Sequence, residues 1–166
     1  MKLSFLIFLL ALFLLYSCDT ATQPTHVISA PKYLPVKKIV DGDTFWADDG
    51  SPKGIKVRLI GIDAPESRKS FKKEVGVYGK ESKAYLTKLL KGKKVKLVYD
   101  IDPLDQYGRT LAYAYLEDGT FVNANLIKNG YAIILTIPPN IKFADHFYNL
   151  QQKARTSKKG LWNVSP

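Results

Sequence analysis

The sequence contains very little cysteine and histidine. Among its 166 residues there are one cysteine and two histidines. A single cysteine excludes an intrachain disulfide framework and a zinc site built from cysteines. With so few histidines, a histidine-rich metal centre is not expected either. We find no internal repeat, which excludes a repeat architecture.

Acidic residues are fewer than basic ones. The chain has 25 Lys and Arg against 15 Asp and Glu, a formal net charge of +10. This excess indicates an anionic partner, which could be nucleic acid, an acidic polymer or a membrane surface. The hydrophobic fraction of 46% supports a folded core and excludes wholesale disorder. At about 100–200 residues per domain, the length predicts one domain plus a targeting segment.

The hydrophobic run near the start of the chain is short. It covers Phe5–Tyr16, whereas a permanent membrane span needs about 20 apolar residues. We therefore predict a signal peptide over residues 1–17. Ser17-Cys18 resembles the processing box of a bacterial lipoprotein, so we predict a lipid on Cys18 that anchors an exported protein to the bacterial cell envelope. A plain secretory signal, which would release a secreted protein, and an uncleaved anchor are the alternatives.

Residues 18–32 are rich in Thr, Ser, Ala and Pro, which predicts a flexible tether before a domain at residues 33–166. Within that domain, alternating and β-branched residues predict five strands: Tyr33–Val40, Asp43–Ala47, Ile55–Ile62, Lys94–Tyr99 and Thr110–Leu116. Helical spacing predicts three helices: Gly79–Lys91, Val122–Asn129 and Phe143–Ala154. This order favours an α+β fold, a five-stranded OB-type Greek-key barrel with about three packed helices.

Acidic residues and arginines concentrate in three short segments: Asp41–Thr44, Arg58–Glu66 and Asp105–Arg109. In the middle segment, Asp63 and Glu66 flank the end of a predicted strand, a position suited to a hard cation, since Ca²⁺ prefers six to eight oxygen ligands. Taken singly, each segment has an ordinary structural interpretation. An Asp-Gly pair is usually a turn, and an arginine on a strand is usually solvated.

Taken together and in this order, the segments resemble the thermonuclease (staphylococcal nuclease-like) family. The matching stretches are Ile39–Thr44, Val57–Leu59, Ile62–Glu66 and Asp105–Tyr113. The resemblance covers about Leu34–Trp162. It implies an OB barrel with three helices that uses Ca²⁺ to hydrolyse phosphodiester bonds of DNA and RNA, and we expect a monomer.

The resemblance also implies roles for individual residues. The metal would be held by Asp43, Asp63 and the backbone carbonyl of Ala64. The two arginines that grip phosphate would be Arg58 and Arg109. The resemblance also implies that Glu66 lies beside the attacking water and that Tyr107 lies against the nucleotide. Asp41 would contact the metal ligands without binding the metal itself.

The implied site explains a metal requirement. Three carboxylates and two arginines leave one net negative charge, which a divalent cation reverses, so a phosphate is attracted only to the loaded site. Lys69 and Lys72, on the loop after Glu66, are predicted to contact the polymer. Two features depart from the family pattern: Gln106 replaces a common lysine, and Ile133–Ile137 lacks the tyrosines of the nucleotide pocket.

Two other functions are compatible with parts of the sequence. A noncatalytic OB-fold module that binds nucleic acid would account for the charge, but such modules generally lack the acids and arginines present here. A surface lipoprotein that binds acidic glycans would also account for the charge, but not for the acids. The sequence therefore favours an exported, lipid-anchored, Ca²⁺-dependent nuclease.

Overall fold

The computed structural model describes residues 32–69 and 74–163. The predicted signal peptide, Cys18, the tether up to residue 31 and Lys72 lie outside the described residues. The described strands are β1 (Leu34–Asp41), β2 (Thr44–Ala47), β3 (Ile55–Leu59), β4 (Gly61–Asp63), β5 (Lys94–Val98), β6 (Thr110–Leu116) and β7 (Ile133–Leu135). The described α-helices are α1 (Gly79–Leu90), α2 (Val122–Lys128) and α3 (Ala144–Thr156), and a 3₁₀-helix follows at Gly160–Asn163.

Five of the strands form a closed barrel in the order β1-β2-β3-β6-β5. Strands β3 and β6 run parallel, whereas the other barrel neighbours are antiparallel. The barrel closes where β1 meets β5, with Leu34 opposite Val95. Alternate side chains of the barrel strands point inward, and the side chains of Phe45, Val57 and Leu59 are almost fully buried. The predicted five-stranded OB-type barrel with three helices is confirmed.

The predicted single strand Ile55–Ile62 is wrong in one respect, because the chain bends at Ile60. Gly61 has a φ of +77°, a conformation that favours glycine. A Cβ at Gly61 would lie 2.6 Å from the Phe147 ring, so helix α3 also requires glycine there. After the bend, β4 leaves the barrel and pairs with β7. Asp63, at the end of β4, is thereby directed away from the line of β3.

The bend is held by a buried asparagine on α2. The Asn123 side chain is fully buried. Its Nδ2 donates to the Ile60 carbonyl at 2.9 Å, and its Oδ1 accepts the Ala114 N–H at 3.0 Å. Buried backbone groups need such partners, because leaving one unpaired costs about 1–3 kcal/mol. One side chain therefore connects α2, the bend and the barrel strand β6.

The helices pack beside the barrel through aromatic and aliphatic side chains. Tyr113 of β6 is buried and meets Phe143 edge to face, with ring centroids 4.6 Å apart. Tyr85 of α1 donates to Asn125 of α2 at 2.7 Å and stacks on Tyr131. These contacts fix α1 relative to α2. No described helix reaches the length and hydropathy of a membrane span.

Candidate active site

A hollow of about 230 Å³ lies where the β1–β2 turn, β3, the end of β4 and the loop after β4 meet. It is lined by Val40, Asp41, Asp43, Thr44, Lys56, Arg58, Asp63, Ala64, Glu66, Arg68 and Arg109. Four of these side chains are carboxylates and four are cations. A small hollow of this kind suits a charged group that both signs can contact.

Asp43 lies in the turn between β1 and β2 and is buried. Its Oδ1 accepts the Thr44 hydroxyl at 2.9 Å, and its Oδ2 accepts the Ala64 N–H at 2.8 Å. The turn packs closely on the strand end, since a Cβ at Gly42 would lie 2.6 Å from the Ala64 Cβ. Small residues at both positions therefore allow Asp43 to approach the end of β4.

Arg58 of β3 connects two carboxylates. It forms an ion pair with Asp43 Oδ2, and its Nη2 donates to Asp63 Oδ1 at 2.7 Å. The side chains of Arg58 and Asp43 are 12% and 8% exposed, whereas that of Asp63 is 35% exposed. Because guanidinium is planar and has five donors, one arginine can hold both aspartates on the same side of the hollow.

The loop that carries Glu66 is fixed on both sides. Asp41 Oδ1 accepts the Ser67 N–H at 3.1 Å. The Glu66 carbonyl accepts the Gly76 N–H at 2.9 Å, and a Cβ at Gly79 would lie 2.1 Å from that carbonyl oxygen. The start of α1 therefore rests directly on the Glu66 backbone. Glycine at position 79 is required by this close approach.

Arg109 reaches the hollow from a turn held by Asp105. Asp105 Oδ2 accepts Arg109 Nε at 2.6 Å, and Oδ1 accepts the backbone N–H groups of Tyr107 and Arg109. Burial by itself would raise the pKa of the Asp105 carboxyl, but hydrogen bonds from Arg109 and Tyr107 hold that pKa below its ordinary value. The carboxylate is thus ionised at neutral pH and orients Arg109.

A larger cavity of about 530 Å³ adjoins the hollow. Arg58, Asp63 and Arg109 line both. Tyr107 stands at the larger cavity with 72% of its surface exposed, and Arg109 lies over its ring at 5.4 Å. Part of the remaining wall is aliphatic, with Leu104, Leu111, Leu135 and Ile137. Such a cavity can take a flat or apolar group attached to an anion held in the hollow.

The donors of the hollow suit a hard cation that is bound in part by other ligands. Within the described residues, no three His, Cys, Asp or Glu side chains form a metal site by themselves. Asp43 and Asp63 nevertheless converge on Arg58, and both supply hard oxygen atoms. A Ca²⁺ ion would need the remaining oxygens from backbone, water or a bound phosphate to reach about six to eight. The residues therefore fit Ca²⁺.

Most of the residues that the sequence predicts for the site come together. Those that line the one hollow are Asp41, Asp43, Arg58, Asp63, Ala64, Glu66 and Arg109. Tyr107 and Gln106 line the adjoining cavity. Lys69 lines neither cavity, and its Nζ lies 2.8 Å from Glu74 Oε1. The contacts predicted for Lys72 and the lipid on Cys18 fall outside the described residues.

Three residues of this region were missed by the sequence analysis. Lys56 is two residues before Arg58 on β3, and the twofold alternation of strands places it on the same face. Arg68 follows Glu66 by two residues and also lines the hollow. Asp105 belongs to a matched stretch, and its Asp-x-x-Gly pattern indicates the turn that it closes. Its contact with the Arg109 side chain had no signal in the sequence.

A known family model matches the greater part of the sequence. Residues 56–164 match the family model described as staphylococcal nuclease homologue. The chain belongs to that family. The matched range begins within β3 and continues past the end of α3, so it contains three of the five barrel strands, β3, β5 and β6, and all three α-helices.

Similarity to individual members extends over most of the chain. A thermonuclease of Staphylococcus intermedius is 41% identical over 136 residues, which cover 81% of this chain and 78% of that protein. A thermonuclease of Staphylococcus hyicus is 38% identical and covers 77% of this chain and 74% of its own length. Endonuclease YncB of Bacillus subtilis (strain 168) is 34% identical over 134 residues, which cover 80% of this chain and 62% of that protein. Membership in the staphylococcal nuclease family therefore rests on the family model over residues 56–164 and on relatives that align with about four fifths of the chain.

Proposed function

We propose that this protein is a Ca²⁺-dependent nuclease that hydrolyses phosphodiester bonds of DNA and RNA with little sequence specificity. One observation carries the proposal: two aspartates, a glutamate and two arginines line a single hollow beside a larger, partly apolar cavity. The names of the similar thermonucleases and endonucleases support the same reaction class.

The arginines would bind the phosphate. A phosphodiester is an anion, and attack by water increases the negative charge on its oxygens. Arg58 reaches the hollow from β3 and Arg109 from the turn before β6, and each can donate two parallel hydrogen bonds to phosphoryl oxygens. Asp105 keeps the guanidinium of Arg109 oriented while its remaining donors stay available. Tyr107 and the aliphatic walls would hold the base and sugar without reading base edges.

Asp43, Asp63 and the carbonyl of Ala64 would hold the cation. When bound there, Ca²⁺ polarises the phosphate and makes a bound water more acidic. In the described structure Arg58 is paired with both aspartates. A cation on these carboxylates would therefore compete with Arg58 and leave its guanidinium available for the substrate. Glu66 would act on the attacking water, either as its base or as the group that orients it.

The same proposal includes the location of the protein. The apolar run and Ser17-Cys18 support export and lipid attachment at Cys18, with the folded domain acting as a monomer at the cell envelope. Membrane fractionation tests this part, because Cys18→Ala should move the protein from the membrane to the soluble fraction. A protein that stays membrane-bound after that change would point to an uncleaved anchor.

Incubation with denatured DNA or with RNA, in buffer containing Ca²⁺, tests the reaction. We expect the protein expressed from the full sequence to release acid-soluble nucleotides from both polymers. Glu66→Gln should lower turnover by about 10²- to 10⁴-fold, the range for loss of a group that acts on the reacting proton. The matched control is Glu117→Gln, since Glu117 is exposed and lines neither cavity. Tight binding without any cleavage by the wild type would favour the noncatalytic OB-fold module.

Asp105→Asn should lower turnover through Arg109. The amide loses the charge that holds Arg109 Nε, so we expect roughly a tenfold decrease in turnover, the effect of about 1.4 kcal/mol.

The contribution of Asp105 to stability should also change with pH. The pKa of Asp105 in the folded protein lies below its ordinary value of 3.8. The ionised carboxylate therefore adds to the free energy of unfolding above pH 3.8, and this stabilisation is lost as the pH falls through the lowered pKa.

Urea unfolding at neutral pH and at about pH 3 measures how the stabilisation by Asp105 depends on pH. The stability difference between wild type and Asp105→Asn should be smaller at the lower pH. Asp118→Asn is the matched control, because a hydrogen bond with Thr120 also lowers the pKa of Asp118, which lies outside both cavities. The control should keep wild-type turnover. Equal turnover in wild type and Asp105→Asn would show that Asp105 does not position Arg109.

A further inference from the structure

A basic groove runs along helix α1, outside the hollow. It is shallow, encloses about 580 Å³ and is lined by Ser67, Arg68, Lys80, Lys83, Ala84, Thr87, Lys88 and Lys91. We call the five cations of this set the α1 basic face. Four of them follow the helix at a spacing that keeps them on its outer side, while Leu86 and Leu90 face the core.

The α1 basic face carries concentrated positive charge. Among the described residues, no acidic side chain lines the groove, and none of its five cations forms an ion pair. The hollow is different, because its four cations face four carboxylates. Like charges held close together on a surface repel one another, so an anion that bridges them is favoured.

The groove is continuous with the hollow through Arg68. This residue lines both, and the Ser67 N–H beside it is held by Asp41 at 3.1 Å. From Lys80 to Lys91 the helix rises by roughly 16 Å, at 1.5 Å per residue. At the 3.4 Å spacing of a stacked strand, about five consecutive phosphates lie along that length.

We propose that the α1 basic face binds the single-stranded segment of DNA or RNA that extends from the phosphate in the hollow. The proposal rests on the proposed function and adds the path of the polymer. No aromatic side chain lines the groove among the described residues, so the contacts would be with phosphates and independent of sequence. Continuity with the hollow favours a nucleic-acid strand over an anionic lipid surface, which would need no connection to that hollow.

The test compares a long and a short ligand. In the variant, Lys80, Lys83, Lys88 and Lys91 are all changed to Gln. The matched control changes Lys53, Lys128, Lys153 and Lys159 to Gln, which removes the same charge from exposed positions outside the groove. Affinity for a fluorescent 20-nucleotide single strand is measured with Ca²⁺ in a Glu66→Gln background at several salt concentrations. Turnover of a dinucleotide is measured with Glu66 intact.

We expect the groove variant to bind the 20-nucleotide strand at least tenfold more weakly than the control variant. Its plot of log affinity against log salt should be shallower by about 0.7 for each lysine that contacts a phosphate. Turnover of the dinucleotide, which reaches only the hollow and its adjoining cavity, should stay within about twofold of wild type. Thermal unfolding confirms that both variants are folded.

Equal losses in the groove and control variants would overturn the proposal, because the charge would then act only as a diffuse field. So would an unchanged affinity for the long strand combined with lost binding to phosphatidylglycerol vesicles, which would assign the face to a membrane. A wild type that cleaves neither ligand would contradict the proposed function instead. The binding measurement would still decide whether the α1 basic face holds the strand.

Discussion

Removal of Ca²⁺ with EGTA is expected to lower the turnover of single-stranded DNA by roughly a thousandfold, since a bound cation supplies several kcal/mol of stabilisation to a developing anion. Four cations already face four carboxylates in the hollow, so the protein alone offers no net positive charge to a phosphate. Arg58 is also engaged by Asp43 and Asp63. Excess Ca²⁺ should restore the full rate.

Variants of two aspartates test whether the Ca²⁺ requirement depends on the carboxylates of the hollow or on negative charge in general. Asp43→Asn should raise the Ca²⁺ concentration needed for half-maximal turnover, because one of the carboxylates that converge on Arg58 loses its charge. Asp145→Asn, on the exposed first turn of α3, should leave that concentration unchanged. Undiminished turnover in EGTA would remove the cation from the mechanism.

Arg109→Lys is expected to lower turnover by about 10²- to 10³-fold, the usual cost of losing one preorganised donor to a developing oxyanion. Lysine keeps the charge, but its single ammonium group cannot hold Asp105 and donate a planar pair of hydrogen bonds to phosphate at the same time. The loss should be largely in kcat, which steady-state kinetics measures directly.

Arg109 gives a cleaner test than Arg58. Arg58→Lys should also lower turnover, but Arg58 is itself largely buried and pairs with the buried Asp43, so its replacement is expected to lower stability as well. The control is Arg155→Lys, since Arg155 stacks on Trp162 and lines neither cavity. Wild-type turnover in both Arg58→Lys and Arg109→Lys would exclude these arginines from the reaction.

The fold was predictable because its signals are local. Alternating apolar residues marked the barrel strands, and residues three to four positions apart marked the helices, within one or two residues of their observed limits at most ends. The bend at Ile60 was not predictable in this way. Apolar residues alternate from Ile55 to Leu59 and the pattern shifts at Ile60, but the bend itself depends on contacts with Phe147 and Asn123, which are distant in sequence.

The site was predictable only in part. The order of its motifs indicated which acids and arginines belong together, and all four acids and two of the three arginines that line the hollow were among them. The contribution of Arg68 and Lys56 was not indicated, because isolated basic residues are common on a surface of this charge. The same abundance of lysines concealed the α1 basic face, because two to eleven other residues separate its neighbouring members along the chain.

The amino-acid sequence by itself determined the barrel, the family and the identity of the acids and arginines, since each depends on residue type and on spacing along the chain. Only the tertiary structure decided how those groups are paired. The attachment of Arg58 to both Asp43 and Asp63, and the continuity of the hollow with the groove on α1, arise where separate segments meet. Charge pairing depends on distances through space, which the order of residues along the chain does not contain.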